Sequence, residues 1–488
     1  MNAEIALMGA LGAPIAQALL VMLAPKPPGL RDLVHMGLAA VSAVCAILLV
    51  GAAASGLDAR IVIARPLPNI DLAFSVEPIG ALAAALIASV GFLHAVHTGG
   101  MVRASNMQNP THLMALTALA NAGAIGVALS SNLLSMFVAY ELLIMAAFPM
   151  VMFGRGEDAR AAGRRFLAPL LTASVGLLLP AIVWTNAIAG PGDFQAGGVL
   201  AGRIDAPTAN ILLALFAIGL AGAATPPLHV WINAAADAPH SAVSSLFAIS
   251  LAPAGCVGVL KVAVFVFGPA LADARAAAFA LIALLGVGMC AAALGALAAQ
   301  DVRRRLAYSC VVQAQAVVIG ALLASPAGVF AAVLQLVALT CAAATLTMAA
   351  GTVAAVTERR SVDEVAGLGR LMPWTFASFA LAAASMIGLP PFAGAWAKLW
   401  LITAAAGAGM VWAAVLVGAA AILTFMHLGP LAARALVEKS SANAFRAPDG
   451  ASFLLVAPVF LGAVATLWLL VLADPIASFL SPLWRSPQ

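Results

Sequence analysis

Two charged residues lie in the middle of long apolar stretches, where a charge is costly. Glu141 is enclosed in LLSMFVAYELLIMAAF, and Lys398 follows a proline pair in GLPPFAGAWAKLW. Ionisable side chains within apolar membrane segments are rare and mark ion or proton pathways by default. Both groups can bind and release a proton, so together they indicate proton transfer. The alternatives are a structural acid satisfied by a hydroxyl or backbone group, and a lysine that extends to the nearer surface.

Three further residues are candidates for the same path. Lys261 lies late in an apolar segment, where extension to the surface and a functional role are equally expected. His229 can relay a proton or bond a carbonyl that a broken helix has freed. Arg165 belongs to the basic run RGEDARAAGRR, whose simpler role is to anchor the chain at lipid headgroups. Its sharper role is to pair with Glu141 or to feed a proton inlet.

The other histidines are predicted from their positions along the apolar segments. His427 lies inside a segment and could line a path, whereas His240 follows Pro239 at the start of one. The remaining four lie near segment ends and are predicted to be interfacial, namely His35, His94, His97 and His112.

Two apolar segments are interrupted by adjacent prolines. Pro226 and Pro227 lie in GLAGAATPPLHVW, and Pro390 and Pro391 lie in SMIGLPPFAGAWAKLW. A helix broken inside a bilayer is costly unless the break lines something polar. Paired interruptions in two halves of a transporter indicate an inverted repeat around a site at the membrane midplane. The alternative is a pair of packing kinks, and only the second break carries a lysine.

The composition assigns the chain to the membrane. Of its 488 residues 64% are hydrophobic and only 9% charged, with a mean hydropathy of +1.08. No soluble core needs so much apolar surface, so an all-α polytopic membrane protein is predicted. The first apolar stretch is interpreted as a retained span rather than a signal peptide. Fourteen spans are predicted, at 4–24, 33–54, 76–96, 112–130, 132–153, 166–189, 208–231, 241–267, 276–298, 306–324, 326–354, 373–405, 409–430 and 452–473.

The distribution of basic residues supports that number of spans. With fourteen helices, sixteen of the 23 lysines and arginines fall on one face and five on the other, and Lys261 and Lys398 lie within spans. Cytoplasmic loops are enriched in Lys and Arg, so the sixteen-residue face is predicted to be cytoplasmic and both termini to lie outside.

Several kinds of chemistry lack a sequence signal. The five cysteines form no CxxC pair and are interpreted as small buried hydrophobes. We find no phosphate-binding loop, metal-ligand cluster or nucleophilic triad. No catalytic chemistry, cofactor or nucleic-acid partner is therefore expected for this chain, and ion movement is expected instead.

Longer motifs resemble a known family. AYELL, TPPLHVWINAAADAPHSAVSSLF, DVRRRLAYSCVVQ and VAGLGRLMPWT followed by IGLPPFAGAWAKLW are similar to the antiporter-like subunits of respiratory complex I, group 4 membrane-bound hydrogenases and Mrp cation/proton antiporters. The resemblance covers about residues 75 to 430 and is strongest to the D-type member of the Mrp antiporter branch. It implies helices broken at spans 7 and 12, and a midplane path that includes Glu141, His229, Lys261 and Lys398.

Four positions depart from the pattern that the resemblance implies. Gly222 stands where the family carries the lysine of span 7. In span 8, Phe247 replaces a histidine and Pro253 a lysine, and Ala343 replaces a lysine in span 11. The ends of the charge array are therefore kept and its middle is lost. Without the lysine of span 7, Glu141 is expected to be protonated or paired with Arg165.

The resemblance implies two main functions. The chain is expected to translocate protons, alone or in exchange for a cation, as one subunit of a multi-subunit complex in a bacterial inner membrane. The alternative is a non-pumping scaffold or coupling subunit of a redox-driven pump, a hydrogenase or an inorganic-carbon uptake complex. The expected divisions are N-terminal helices at 1–110, two repeats at 111–267 and 268–430, and a cytoplasmic loop with the last helix at 431–488.

Overall fold

Long apolar helices dominate the computed structural model, which describes residues 2–23, 28–67, 70–105, 107, 109–153, 157–438 and 452–484. Within these ranges eleven helices are long and apolar enough to cross a membrane, and a twelfth counts if a helix bent by 69° is one span. The eleven are α1 (Ala3–Leu23), α2 (Pro28–Ala54), α3 (Pro78–Ala104), α4 (Pro110–Leu129), α5 (Leu133–Val151), α6 (Glu157–Ala189), α8 (His240–Ala272), α9 (Arg275–Ala298), α10 (Val302–Leu322), α11 (Pro326–Thr357) and α13 (Val411–Val437).

The remaining predicted spans are broken or bent. Helix α7 consists of α7a (Ala206–Gly219) and α7b (Trp231–Ala236), and α12 consists of α12a (Pro373–Ile387) and α12b (Ala393–Gly407). The bent helix is α14 (Phe453–Leu480). Each of the fourteen predicted segments therefore corresponds to a helix or to a pair of short helices. The all-helical, multi-pass fold class is confirmed.

Local sequence signals explain where several helices begin. Glu77 accepts hydrogen bonds from the amides of Ile79 and Gly80 at the start of α3, and Asp301 accepts from Arg303 N and Arg304 N at the start of α10. An acidic cap satisfies amides that have no partner inside the helix and complements the positive end of its dipole.

One short hairpin departs from the all-helical prediction. Strands β1 (Arg60–Leu67) and β2 (Ile70–Ser75) pair antiparallel in a stretch that the sequence indicated only as a polar gap. The hairpin is held to the helices by Arg60, whose Nε donates to Asp193 Oδ2 at 2.7 Å. Asn132 Nδ2 also donates to Asp193 Oδ1, at 3.2 Å. These contacts tie β1 to the ends of α5 and α6 on one face of the bundle.

The opposite face carries most of the arginines, and we call it the arginine-rich face. Asp32 is buried there and accepts hydrogen bonds from Arg31 and from Arg103 Nε at 2.9 Å, which fastens α2 to the end of α3. Arg304 pairs with Asp237 at 2.8 Å. Five basic residues counted in the prediction of sidedness lie outside the described residues, namely Lys26, Arg155, Lys439, Arg446 and Arg485.

The docking of the hairpin is expected to weaken in acid. Partial burial raises the pKa of Asp193, but hydrogen bonds from Arg60 and Asn132 outweigh it and hold the pKa of this carboxyl below its ordinary value. A depressed pKa contributes stability that is complete above about pH 5 and is lost as the pH falls through the lowered value. Hydrogen–deuterium exchange of residues 60–75 should therefore rise in acid, after correction for intrinsic rates.

Two variants test that expectation. In Asp193→Asn, exchange of the hairpin should be raised at every pH and lose its acid dependence. Asp58→Asn, at an exposed site just before the hairpin, should behave as the native chain does. Equal acid dependence in native protein and Asp193→Asn would contradict the account.

Candidate functional site

The second helix break surrounds Lys398 with oxygen atoms. The last carbonyls of α12a have no partner within the helix, because the helix ends at Ile387. Lys398 Nζ donates to Met386 O at 2.8 Å and to Gln313 Oε1 at 3.0 Å. The residue is only 6% exposed, so it does not extend to a surface. Gly388 caps α12a at φ +96°, and a Cβ there would come within 2.8 Å of Lys398 Cδ.

Glutamines of α10 reach both helix breaks. Gln313 Nε2 donates to Met386 O at 3.2 Å, and Gln335 Nε2 of α11 donates to Gln313 Oε1 at 2.7 Å. Two residues further along α10, Gln315 Nε2 donates to Ala224 O in the first break at 2.9 Å. Residues i and i+2 lie on different sides of a helix. A single helix therefore supplies polar side chains to both breaks, which it separates.

The first helix break is satisfied by neutral groups. Between the end of α7a at Gly219 and the start of α7b, Gly222 N donates to Tyr140 Oη at 2.8 Å. Trp231 Nε1 donates to Ala221 O at 3.0 Å. Together with Gln315, these side chains bond the amide and carbonyl groups that the break frees. The break is thus stable in apolar surroundings without a charged residue.

The packing around Gly222 leaves no room for a side chain. A Cβ at this position would lie 2.8 Å from both Tyr140 Oη and Leu251 O. Gly255 of α8 packs against the same turn, where its own Cβ would collide with the backbone of Ala223. The tyrosine and the backbone of α8 thus occupy the space where the resemblance would place a lysine.

Aromatic rings surround position 247, where the resemblance implies a histidine. Phe247 is stacked on Trp231 with 5.3 Å between the ring centroids, and Phe166 meets Trp231 edge-on at 5.9 Å. Pro253 and Ala343 are buried as well. Gly222 and Phe247 are therefore closely packed, and all four of these positions are buried and carry no charge.

Glu141 is not paired with Arg165, contrary to one of the two expectations for this carboxyl. Its Oε1 is buried with no hydrogen-bond partner among the described residues, and Ser174 of α6 lies beside it. Arg165 is exposed at the arginine-rich face and its Nε donates to Ala161 O at 3.3 Å. Arg165 lies in the exposed first part of α6, which begins at Glu157, whereas Glu141 lies in the middle of α5.

Lys261 is fully buried and does not extend to a surface. Its Nζ donates to Ala128 O at 2.8 Å and to Ser130 O at 2.7 Å. Glu77 Oε1 lies 3.3 Å away as its ion-pair partner, and the ring of Phe194 is 5.1 Å from Nζ. The end of α4 and the cap of α3 thus meet at this ammonium, on the face that carries the hairpin.

The remaining histidines occupy different environments from those expected. His35, His94 and His97 are 1%, 4% and 1% exposed, so the prediction of interfacial positions is wrong for them. His112 is exposed at the start of α4, as an interfacial residue would be. The three buried histidines lie inside helices that run past the predicted ends.

The candidate histidines His229 and His427 lie beside the first helix break and beside α10, respectively. His229 is half-buried after the first break, and its Nδ1 has no partner in the described part of the chain. His427 of α13 is buried, and its Nε2 lies 2.7 Å from Ser309 Oγ of α10. The structure places neither of them within hydrogen-bond distance of Lys398.

Sequence reasoning missed the side chains that bond the breaks. Tyr140, Gln313 and Gln315 carry the contacts of both breaks, yet none was a candidate. The signal was present, because glutamines in the apolar run SCVVQAQAVVIG are costly to bury unless they bond something.

The fold and site define a multi-pass membrane protein with two broken helices, each of which is bonded by a glutamine of α10. A chain of the Mrp complex from Dietzia sp. DQ12-45-1b has a similar fold, with a TM-score of 0.85 at 21% identity over 99% of this chain and 98% of that chain. A chain of the membrane-bound sulfane sulfur reductase, an archaeal respiratory membrane complex, also has a TM-score of 0.85. Its identity is 22% over 98% of this chain and 96% of that chain.

Sequence comparison identifies the family. Residues 130–424 match the NADH:quinone oxidoreductase/Mrp antiporter transmembrane family. NADH-quinone oxidoreductase subunit N of Desulforudis audaxviator is 27% identical over 70% of this chain and 68% of its own length. The chain spans 59% and 48% of the lengths of two NAD(P)H-quinone oxidoreductase chain 4 proteins that it also matches.

The chain belongs to this family, because the matched region covers more than half of it. It is an antiporter-like membrane subunit of the complex I and Mrp type, and the resemblance seen in its motifs is confirmed.

A small substitution at Gly222 is expected to destabilise the protein. Gly222→Ala places a methyl group against Tyr140 Oη and Leu251 O, and overpacking of this kind costs about 1–3 kcal/mol. Thermal unfolding of the purified protein measures the change. The matched control is Gly418→Ala in α13, where a Cβ meets nothing within 4 Å. Equal unfolding temperatures for the two variants would show that the first break is not closely packed.

Proposed function

We propose that this chain translocates protons, alone or in exchange for a cation, as a subunit of a membrane complex. The observation that carries the proposal is Lys398, an amine buried at a helix break and held only by neutral acceptors. Gln313 and the carbonyl of Met386 accept from it, and Gln335 donates to the same oxygen of Gln313. An ammonium without an ion-pair partner among the described residues can give up its proton without leaving an unpaired carboxylate behind.

The hydrogen bonds of the two buried lysines support different roles. An ammonium has three protons to donate, and a neutral amine keeps two. Lys398 has two acceptors, both neutral, so both of its bonds survive the loss of a proton. Lys261 has two carbonyls and the carboxylate of Glu77. Three acceptors, one of them charged, suit a permanent ammonium, so we assign Lys261 a positioning role.

Polar atoms at the two breaks supply further positions for a proton chain. Thr225 Oγ1, Gln315 Oε1 and Gln335 Oε1 are buried with no hydrogen-bond partner among the described residues. Buried polar atoms of this kind are usually bonded to water. A chain that includes His229 and these groups would connect the two breaks along α10, beside the apolar packing of Phe247.

Glu141 supports a role within a complex. It lies half-buried on the outer side of α5, between Val138 and Met145, which are 41% and 44% exposed. A carboxyl on the lipid-facing side of a helix is costly at this depth. A neighbouring membrane subunit over this side of α5 would remove it from lipid and give it a partner. The two similar folds come from multi-subunit membrane complexes.

The apolar middle of the chain favours a second candidate function. Close packing at Gly222 and Phe247 separates Glu141 from Lys398, as in a subunit that keeps the fold as a scaffold or coupling partner without conducting ions. We favour translocation because Lys398 is bonded to neutral acceptors, which let it release and regain a proton, and a scaffold does not need this property.

The placement in the cell follows from the same proposal. The arginine-rich face would lie in the cytoplasm of a bacterial inner membrane with both termini outside, as the excess of basic residues there predicts. Residues 111–267 and 268–430 would form the two repeats, each with one broken helix.

Replacing Lys398 or Glu141 with a residue that cannot exchange a proton is expected to stop ion movement. The complex would be purified with its natural partner subunits and reconstituted in liposomes, with proton flux followed by a pH-sensitive dye. Lys398→Ala and Glu141→Gln should each lower the flux at least tenfold without loss of assembly. Arg164→Ala, at an exposed site of the basic run, is the matched control. Native flux in both test variants would exclude translocation through this chain and favour the scaffold.

A further inference from the structure

A charged cavity opens at the arginine-rich face between the ends of seven helices. We call it the vestibule. Its volume is about 670 Å³, and its charged lining comes from Asp158, Arg165, Asp237, Arg303 and Arg360, together with His240. A cavity of this size and polarity holds many water molecules. Arg165, a candidate for feeding a proton inlet, therefore lies in the wall of a space that protons can reach.

His97 lies directly behind the vestibule. His97 and His240, which lines the vestibule, lie on either side of Gly351 of α11. A Cβ placed on this glycine would be 3.3 Å from His240 Cβ and 3.4 Å from His97 Cε1. His97 Nε2 lies 2.9 Å from Thr352 Oγ1, whose own proton is donated to Met348 O. The threonine oxygen must therefore accept from His97 Nε2–H. Nδ1 of His97, which has no partner in the described residues, is free to bind a proton.

His94, one turn before His97 in α3, opens into a second, internal cavity. His94 Nε2 donates to Ser241 O at 2.9 Å. The cavity is lined by His94, His35, Asn121 and Ser245 and measures about 10 Å³, close to the smallest space that holds one water molecule.

Two unpartnered groups belong to residues that line this small cavity. Gln17 Nε2 donates to His35 Nδ1 at 2.9 Å, so the ring proton of His35 is on Nε2. That Nε2 and Asn121 Oδ1 are both buried without a hydrogen-bond partner among the described residues. A donor and an acceptor in the wall of one cavity are the partners that a bridging water needs.

Hydroxyl and carbonyl groups of α8 lead from the small cavity toward the first helix break. Ser245 Oγ lies 3.4 Å from Ser250 Oγ at the bend of α8. The next carbonyl of α8 is Leu251 O, which lies beside Gly222 and Tyr140 Oη. Polar groups thus extend from the arginine-rich face to Tyr140 at the first break.

We propose that His240, His97, His94 and His35, which we call the histidine row, form a proton inlet from the vestibule to the first break. His97 can bind a proton on its free Nδ1 and release the proton of Nε2, which restores a neutral ring. His35, whose Nδ1 accepts from Gln17, donates from Nε2 to the water of the small cavity and holds that water in place. The inlet supplies a route around the closely packed Phe247 and Trp231. It rests on the proposed function, because an inlet has a use only if the chain conducts protons.

Loss of the histidines should slow proton flux in the reconstituted complex. His94→Ala/His97→Ala is expected to lower the flux at least tenfold, whereas His112→Ala, at the exposed start of α4, should leave it unchanged. In His97→Ala the vacated space adjoins the vestibule, so added imidazole should restore much of the flux. Packing alone would not be rescued by imidazole.

The outcomes separate this inference from the proposed function. Native flux in the double variant, or a loss that imidazole does not restore in His97→Ala, overturns the inlet. If Lys398→Ala still abolishes flux in that case, the proposed function stands without the inlet. Native flux in Lys398→Ala and Glu141→Gln as well overturns both.

Discussion

A helix that breaks inside a bilayer must find partners for the amide and carbonyl groups it frees, and this constraint organises the centre of the protein. Each unsatisfied backbone group there costs several kcal/mol. The first break meets the constraint with Tyr140, Trp231 and Gln315, all neutral. The second meets it with Lys398 and Gln313. Helix α10 bonds to both, so the positions of the two breaks are set by one rigid element.

The same constraint explains how the first break is stable without a charged residue. Where neutral donors and acceptors bond the backbone, a lysine is not needed for stability, and the space at Gly222 is taken by Tyr140 and α8. The charge at the second break is different, because Lys398 is itself a backbone partner. Its removal would free Met386 O as well as delete the proton that we propose it exchanges.

The sequence predicted the spans, both breaks and the depth of Lys398, because long apolar runs and proline pairs are strong local signals. It misplaced three histidines for a physical reason. Helix α3 was predicted at 76–96 but ends at Ala104, and α2 begins at Pro28 rather than at 33. The added turns contain polar residues and fail a hydropathy criterion, and the ion pairs of Asp32 with Arg31 and Arg103 fasten these two helix ends together. Contacts between distant segments, such as Lys261 with Glu77, left no local signal.

The central claim is that Lys398 exchanges its proton whereas Lys261 keeps its charge. Proton flux through the reconstituted complex with Lys398→Arg and with Lys261→Arg tests it most directly. Arginine preserves the charge and the donors but does not release a proton. The account predicts an assembled complex in both cases, with flux lost in Lys398→Arg and retained in Lys261→Arg. Native flux in Lys398→Arg would contradict it.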